Sequence, residues 1–238
     1  MHNENKEEIP LMGGQQTQGI LRIGNTVRRP LKENAAFVHQ LLTFLEAQGF
    51  QPAPRFLGVD EQGREMLTYL EGKTLPGSGY KLSDEQLIAI TQFVRHLHDL
   101  TADCSLRGQA EIVAHNDIGP HNIIFQGQAP IDLIDWDEAA PGTRLRDFAN
   151  TVWCCVDLSN RQWDAHEQAR RIQLMCQAYG WENPIALVND MEQDLYRALQ
   201  NHQKAGRHKA AAIFQQEIDW FKVRAQGLRK VLSDHTFS

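Results

Sequence analysis

Residues 113–137 constrain this chain more than any other stretch. They read Val-Ala-His-Asn-Asp-Ile-Gly-Pro-His-Asn-Ile-Ile-Phe, then Gln-Gly-Gln-Ala-Pro, then Ile-Asp-Leu-Ile-Asp-Trp-Asp. The polar residues fall on a loop, a β-branched run follows at 123–125, a Gly/Pro turn reverses the chain, and a second strand ends on Asp135. Such a layout brings the oxygen-bearing side chains of Asp117, Asn122 and Asp135 to one point.

Asp117 and Asn122 stand in the pattern His115-x-Asp117-x-x-x-x-Asn122. That is the spacing of a kinase catalytic loop, where the Asp accepts the proton of the substrate hydroxyl and the Asn ligates magnesium. The chemistry behind the set is charge. A phosphoryl group in flight carries negative charge on its oxygens and needs a hard cation held by carboxylate and amide oxygens. It also needs one carboxylate kept off the metal to orient the attacking hydroxyl. Asn122 and Asp135 suit the first task, and Asp117 the second. With Ile134-Asp135-Trp136-Asp137 and Arg146-Asp147-Phe148-Ala149 following, the segment resembles the aminoglycoside phosphotransferase and choline kinase-like family. The motif match spans about 35 residues, and a weaker likeness reaches back to Gly13.

The same residues have other readings. Asp117 can cap a turn before Gly119-Pro120, and Asp135 can close a hairpin, because Asp favours both places. A metallohydrolase built on His115, Asp117 and His121 needs a closed ligand set, and no second His-rich motif accompanies them.

The 238 residues, 42% of them hydrophobic, can bury a sizeable core as one domain or two small ones. A net charge of -6 argues against binding a phosphate backbone, so nucleic acid is not an expected partner. Cys104, Cys154, Cys155 and Cys176 show no Cys-x-x-Cys pattern and read as free thiols in a reducing compartment. The amino terminus lacks an apolar h-region and no apolar run approaches a membrane span, so the expectation is a cytoplasmic protein with no membrane partner.

Ahead of the central segment, residues 1–12 are polar and read as frayed. Gly13, Gly14 and Gly19 flank Gln-Gln-Thr-Gln before two short strands, 20–23 and 26–29, joined by a Gly24-Asn25 turn. The glycines form either a nucleotide-covering loop, with Thr17 and amides near Gly19 meeting phosphate, or a flexible lead-in. The family carries a Lys or Arg on the next strand to pair the nucleotide phosphates. The resemblance places Arg28 in that role with Arg29 as the fallback, since alternation along a strand lets only one of them face inward.

Residues 32–48 read as a helix with Phe37, Leu41 and Leu45 on one stripe. The Glu that kinases carry there to pair the strand cation is absent. His39 holds the nearest position and reads as a helix-face residue, with Glu33 and Glu46 outside it. Two further strands, 52–59 and 65–72, flank a turn at 60–63, and the resemblance makes Tyr69 to Glu71 the main-chain hinge for the base. A Gly/Pro/Ser-rich boundary follows at 71–79.

Ser83-Asp-Glu-Gln86 is a capping box opening a helix to Leu100, on which His98 reads as a core-edge histidine. After Asp137, a helix is expected over 144–158. The resemblance makes Asp147 a structural anchor that hydrogen-bonds around the catalytic loop and not a metal ligand, and His115 is a further candidate for supporting the site from behind. Asp137 either supports the metal from a distance or faces solvent. Three more helices follow, one capped by Ser159-x-x-Gln162 and running to Tyr179, one opened by Asn183-Pro184, and one over 207–232.

The expectation is an α+β, two-lobed protein kinase-like fold: an N-lobe over 1–72, with a small antiparallel sheet and one helix, and a mostly helical C-lobe over 73–238. ATP or GTP would lie between the lobes as co-substrate with Mg2+ on Asn122 and Asp135. The expected function is transfer of the γ-phosphoryl group to a hydroxyl of a small molecule. Acidic residues from Asp157 onward favour a cationic acceptor or are solvated helix faces. The alternative is a catalytically silent nucleotide-binding or regulatory module, suggested by the Arg in place of Lys, by His39 and by the thin glycine loop.

Overall fold

Beginning with the strands, the apolar alternation around Val27 and Leu67 builds one antiparallel sheet. Its strands are β1 (Glu8–Pro10), β2 (Leu21–Ile23), β3 (Thr26–Pro30), β4 (Phe56–Val59) and β5 (Arg64–Thr68), in the spatial order β1-β2-β3-β5-β4. The computed structural model describes residues 7–11 and 19–234. Gly13, Gly14 and Thr17 lie outside the described residues. The polar segment read as frayed contributes β1, which pairs with β2 in the register Glu8↔Ile23. Edge pairing needs only main-chain groups, which composition does not report. The strand read at 52–59 starts later, at Phe56, because Pro52 and Pro54 lack the donors a ladder needs, and the strand read at 65–72 spans Arg64–Thr68.

Helix α1 (Ala35–Ala47) packs under the sheet through Val38, Leu41, Leu42 and Leu45. Its apolar spacing of three and four residues puts these on one face. The same hydrophobic cluster continues without a break into Leu82, Leu87, Ile90, Val94 and Leu97 of the second lobe. Those residues belong to the stripe of α2 (Asp84–Thr101), whose capping box is complete: Ser83 accepts from the Gln86 amide and Gln86 accepts from the Ser83 amide.

The chain crosses between lobes at Gly72 and Lys73, where Lys73 exchanges both main-chain hydrogen bonds with Phe125. Gly72 has φ +150, and a Cβ there would come within 2.4 Å of the Ile124 side chain. Only a residue without a side chain lets the crossing lie this close to the strand beneath it.

Two small two-stranded ladders carry the central segment. β6 (Ile112–Ala114) pairs with β9 (Ala140–Gly142), and β7 (Ile123–Gln126) pairs with β8 (Ala129–Leu133). Four helices complete the lobe: α3 (Arg144–Val156), α4 (Ala165–Tyr179), α5 (Pro184–Lys204) and α6 (His208–Asp234). The cap of α4 is Asp164, which accepts from the Glu167 amide, whereas Ser159 bonds Asp157. Both sequences fit a cap, and the turn at 157–163, held by Asp157 and Asn160, delays the helix start. Asn183 caps α5 with Pro184 in its first turn. Among the described residues no helix is long and apolar enough to cross a membrane.

Candidate active site

The catalytic loop between β6 and β7 is held from below by one buried carboxylate. Asp147, in the first turn of α3 and 1% exposed, accepts from the amides of His115 at 3.2 Å and Asn116 at 2.7 Å, and from His98 Nε2 at 2.8 Å. His98 in turn accepts from the Tyr179 hydroxyl at 2.7 Å, so its ring is fixed at both nitrogens. Burial pushes the Asp147 carboxyl up, but the His98 hydrogen bond, the nearby imidazoles and the loop amide more than reverse that push and leave it below its ordinary value. His98 is therefore fully interior, a link in the loop's support rather than a residue at the core edge.

With the loop fixed, Asn116 takes a left-handed backbone (φ 65) and turns Asp117 outward. Asn122 Nδ2 donates to Asp117 Oδ2 at 2.8 Å and to the Asp117 carbonyl at 3.0 Å. Among the described residues no donor meets its amide oxygen. Asp117 and Asn122 are thus in contact, and Ile134 N donates to the Asn122 carbonyl at 2.9 Å, which sets Asp135 beside them. Asp135 is itself left-handed (φ 60), with a half-exposed carboxylate 3.7 Å from Arg29 Nη1. Asn and Asp tolerate this conformation better than other side-chain-bearing residues.

His121 lies on the open side, Nε2 3.4 Å from Asp117 Oδ1, and this contact raises its pKa. His115 points the other way: its buried ring packs on Trp136 and its Nε2 donates to the Ile134 carbonyl at 3.2 Å. A zinc set on His115, Asp117 and His121 does not form, and among the described residues no cluster of three or more His, Cys, Asp or Glu side chains could hold a metal. The donors present fit instead a hard cation with one amide oxygen, one carboxylate and further ligands from phosphate.

Burial holds the His115 pKa below its ordinary 6.5. The unfolded chain then binds a proton that the folded one refuses, so this contribution to stability is complete above pH 6.5 and declines as the pH falls below it. Because His121, whose pKa is raised, acts in the opposite direction, the His115 effect is read as a difference in urea unfolding: between pH 7.5 and 5.5 wild type should lose more stability than His115→Asn, by up to about 1.4 kcal/mol per pH unit.

The inward cation is Arg29. Arg28 instead turns to the outer face and meets Asp60 at 3.2 Å, so the expected inward position of Arg28 is taken by its neighbour, the fallback. Arg29, 8% exposed, donates from Nε to Glu65 Oε1 at 2.6 Å. The two lie opposite each other on β3 and β5. His39 Nε2 donates to Glu65 Oε2 at 2.9 Å while its ring stacks on Phe56 at 3.7 Å. The carboxylate that a helix supplies in kinases thus comes from the neighbouring strand, and His39 is part of the ion-pair cluster rather than a bare helix face. Glu65 was not singled out in the sequence. Its signal was alternation: it shares the buried face of β5 with Leu67.

At the hinge, Tyr69 gives its N–H to the Asn25 carbonyl at 2.8 Å and lies under the Arg22 guanidinium, so its amide is not open to a base. The Glu71 carbonyl accepts from Gln126 at 3.3 Å. Gly19 has φ +82 and sits against Pro30. The acidic residues beyond the site are engaged elsewhere. Asp157 is buried and bonds Gly79 N, Asp164 caps α4, Glu167 pairs with Arg170, and Asp190 and Asp194 share Arg197. Glu217 pairs with Arg161 and Asp219 accepts from Gln215.

Residues 84–188 match the model of the phosphotransferase enzyme family. The matched segment contains Asp117, Asn122, Asp135 and Asp147, and the described residues have the kinase-like fold of solved aminoglycoside phosphotransferases. The GDP complex of wild-type aminoglycoside 2'-phosphotransferase-IIIa superposes with a TM-score of 0.64, at 12% identity over 93% of this chain and 94% of that one. The gentamicin complex of APH(2")-IIa gives 0.60 at 14% identity, covering 89% and 90%. In sequence, the chain is 33% identical over 169 residues to the trifolitoxin immunity protein of Rhizobium leguminosarum bv. trifolii, a match covering 64% of this chain. The chain spans 63% of that relative's length.

Proposed function

We propose that this chain transfers the γ-phosphoryl group of ATP or GTP to a hydroxyl of a small-molecule acceptor. The observation that carries the reading is the Asp117–Asn122 contact beside Asp135, with the Arg29 guanidinium facing them from the other lobe. Asn122 gives its N–H to Asp117 and keeps its oxygen, so the two residues divide the tasks of base and metal ligand between them. Magnesium held by the Asn122 amide oxygen and Asp135 would supply positive charge to the phosphate oxygens. Asp117, free of the metal, would orient the acceptor hydroxyl and take its proton. Arg29 would face the phosphates, and the base would meet the main chain past Tyr69.

The relative named for trifolitoxin immunity and the antibiotic phosphotransferases of the same fold support a protective role, modification of a toxic compound at a hydroxyl. The experiment is a thermal shift with magnesium and ATP or GTP, followed by acceptor-dependent nucleoside diphosphate release with gentamicin, a macrolide, trifolitoxin and neutral sugars. Stabilisation together with release on one acceptor is the expected result. Stabilisation without release on any of them would favour the silent module, and no stabilisation by either nucleotide would end the reading.

A further inference from the structure

Asp137 is contacted from the other lobe by three residues. Arg29 Nη2 donates to its Oδ1 at 2.6 Å and Arg29 Nη1 to its Oδ2 at 3.2 Å. Lys32 Nζ lies 3.9 Å from the same Oδ2. Asn34 donates its side-chain amide to the Asp137 carbonyl. Asn34 precedes α1, where an Asn side chain ordinarily caps the helix, yet it makes no cap bond. Its amide is turned across the cleft instead.

The other side of this contact is rigid. Asp137 sits in a short turn whose first residue, Trp136, is 2% exposed, donates to the Leu133 carbonyl and packs edge-on against Phe50. The next carbonyl along, that of Glu138, accepts from Asn116 Nδ2 at 2.9 Å. Successive carbonyls of one turn therefore tie the N-lobe, through Asn34, to the catalytic loop, through Asn116.

We propose that Asp137 is an interlobe latch and a positioning residue, not a ligand of the metal: it holds Arg29 and keeps Asp135 and the catalytic loop in register with the N-lobe. Both of its carboxylate oxygens face N-lobe cations, whereas the half-exposed carboxylate of Asp135 is left for a metal. Every guanidinium nitrogen of Arg29 is engaged by Glu65 or Asp137. A triphosphate reaching Arg29 therefore competes with Asp137 for its positive charge, and the latch lowers apparent nucleotide affinity while it aligns the site. The affinity part of this inference rests on the phosphotransferase reading; the latch itself does not.

The test compares wild type, Asp137→Asn and Asn34→Ala. Hydrogen exchange over residues 28–38, read without ligand, is expected to rise in both variants. Unchanged exchange would overturn the latch whether or not any nucleotide binds. Calorimetry with ATP or GTP in metal-free buffer is expected to show binding about 3- to 10-fold tighter for Asp137→Asn and unchanged for Asn34→Ala, which leaves the guanidinium held. With magnesium and an acceptor, Asp137→Asn should lower both KM for nucleotide and kcat. Weaker binding confined to the magnesium-containing buffer would make Asp137 a metal ligand and overturn the proposal. Absence of nucleotide binding by the wild type would end the phosphotransferase reading and leave the exchange result standing.

Discussion

Asp117→Asn is expected to lower phosphoryl transfer about 10²- to 10⁴-fold, the usual contribution of a positioned general base, while nucleotide binding and the melting temperature stay near wild type. The separation follows from the geometry. The side chain of Asp117 is 38% exposed, so the change buries no new polar group. The oxygen that accepts from Asn122 is retained in the amide, and the loop stays in place because its amides are held by Asp147 rather than by Asp117. What is lost is the anionic oxygen on the side of His121, which would orient and deprotonate a hydroxyl. Single-turnover transfer and nucleotide calorimetry on the purified variant check the two halves together. Transfer within tenfold of wild type would remove Asp117 from the role of base.

Asp147→Ala should act through the fold. It leaves the buried amides of His115 and Asn116 and the buried His98 Nε2 without their acceptor at once. Removing one partner of such a buried charged network costs about 3–5 kcal/mol. That is a large share of the stability of an ordinary domain. The urea midpoint should fall accordingly, and whatever protein remains folded should transfer poorly, because Asn116 no longer holds its left-handed turn. Asp147→Asn, which keeps one acceptor oxygen, should lose less. A midpoint shift below about 1 kcal/mol for the Ala variant would mean the loop is held by its strands alone.

How Arg29 is held bears on the cation usually found at this position. A lysine presents a single nitrogen, whereas Arg29 presents three, one to Glu65 and two to Asp137. A planar fork needs carboxylates on two sides, and here Glu65 and Asp137 supply them.

The sequence by itself determined the local features. The loop, the hairpin after it, the capping box at Ser83, the Asn183-Pro184 start and the apolar stripes of the helices each depend on residues a few positions apart, and their propensities and spacings act within that reach. The spacing of Asp117 and Asn122 belongs here, since their contact bridges five residues. Only the tertiary structure decided which arginine faces the cleft, which carboxylate meets it and what Asp137 does. Arg29 and Glu65 are 36 residues apart, and Arg29 and Asp137 are 108. A strand shifted by one residue would exchange Arg28 for Arg29 with no change in local pattern, so the choice lay in the register of β3 on β5 and in how the shared core sets one lobe upon the other.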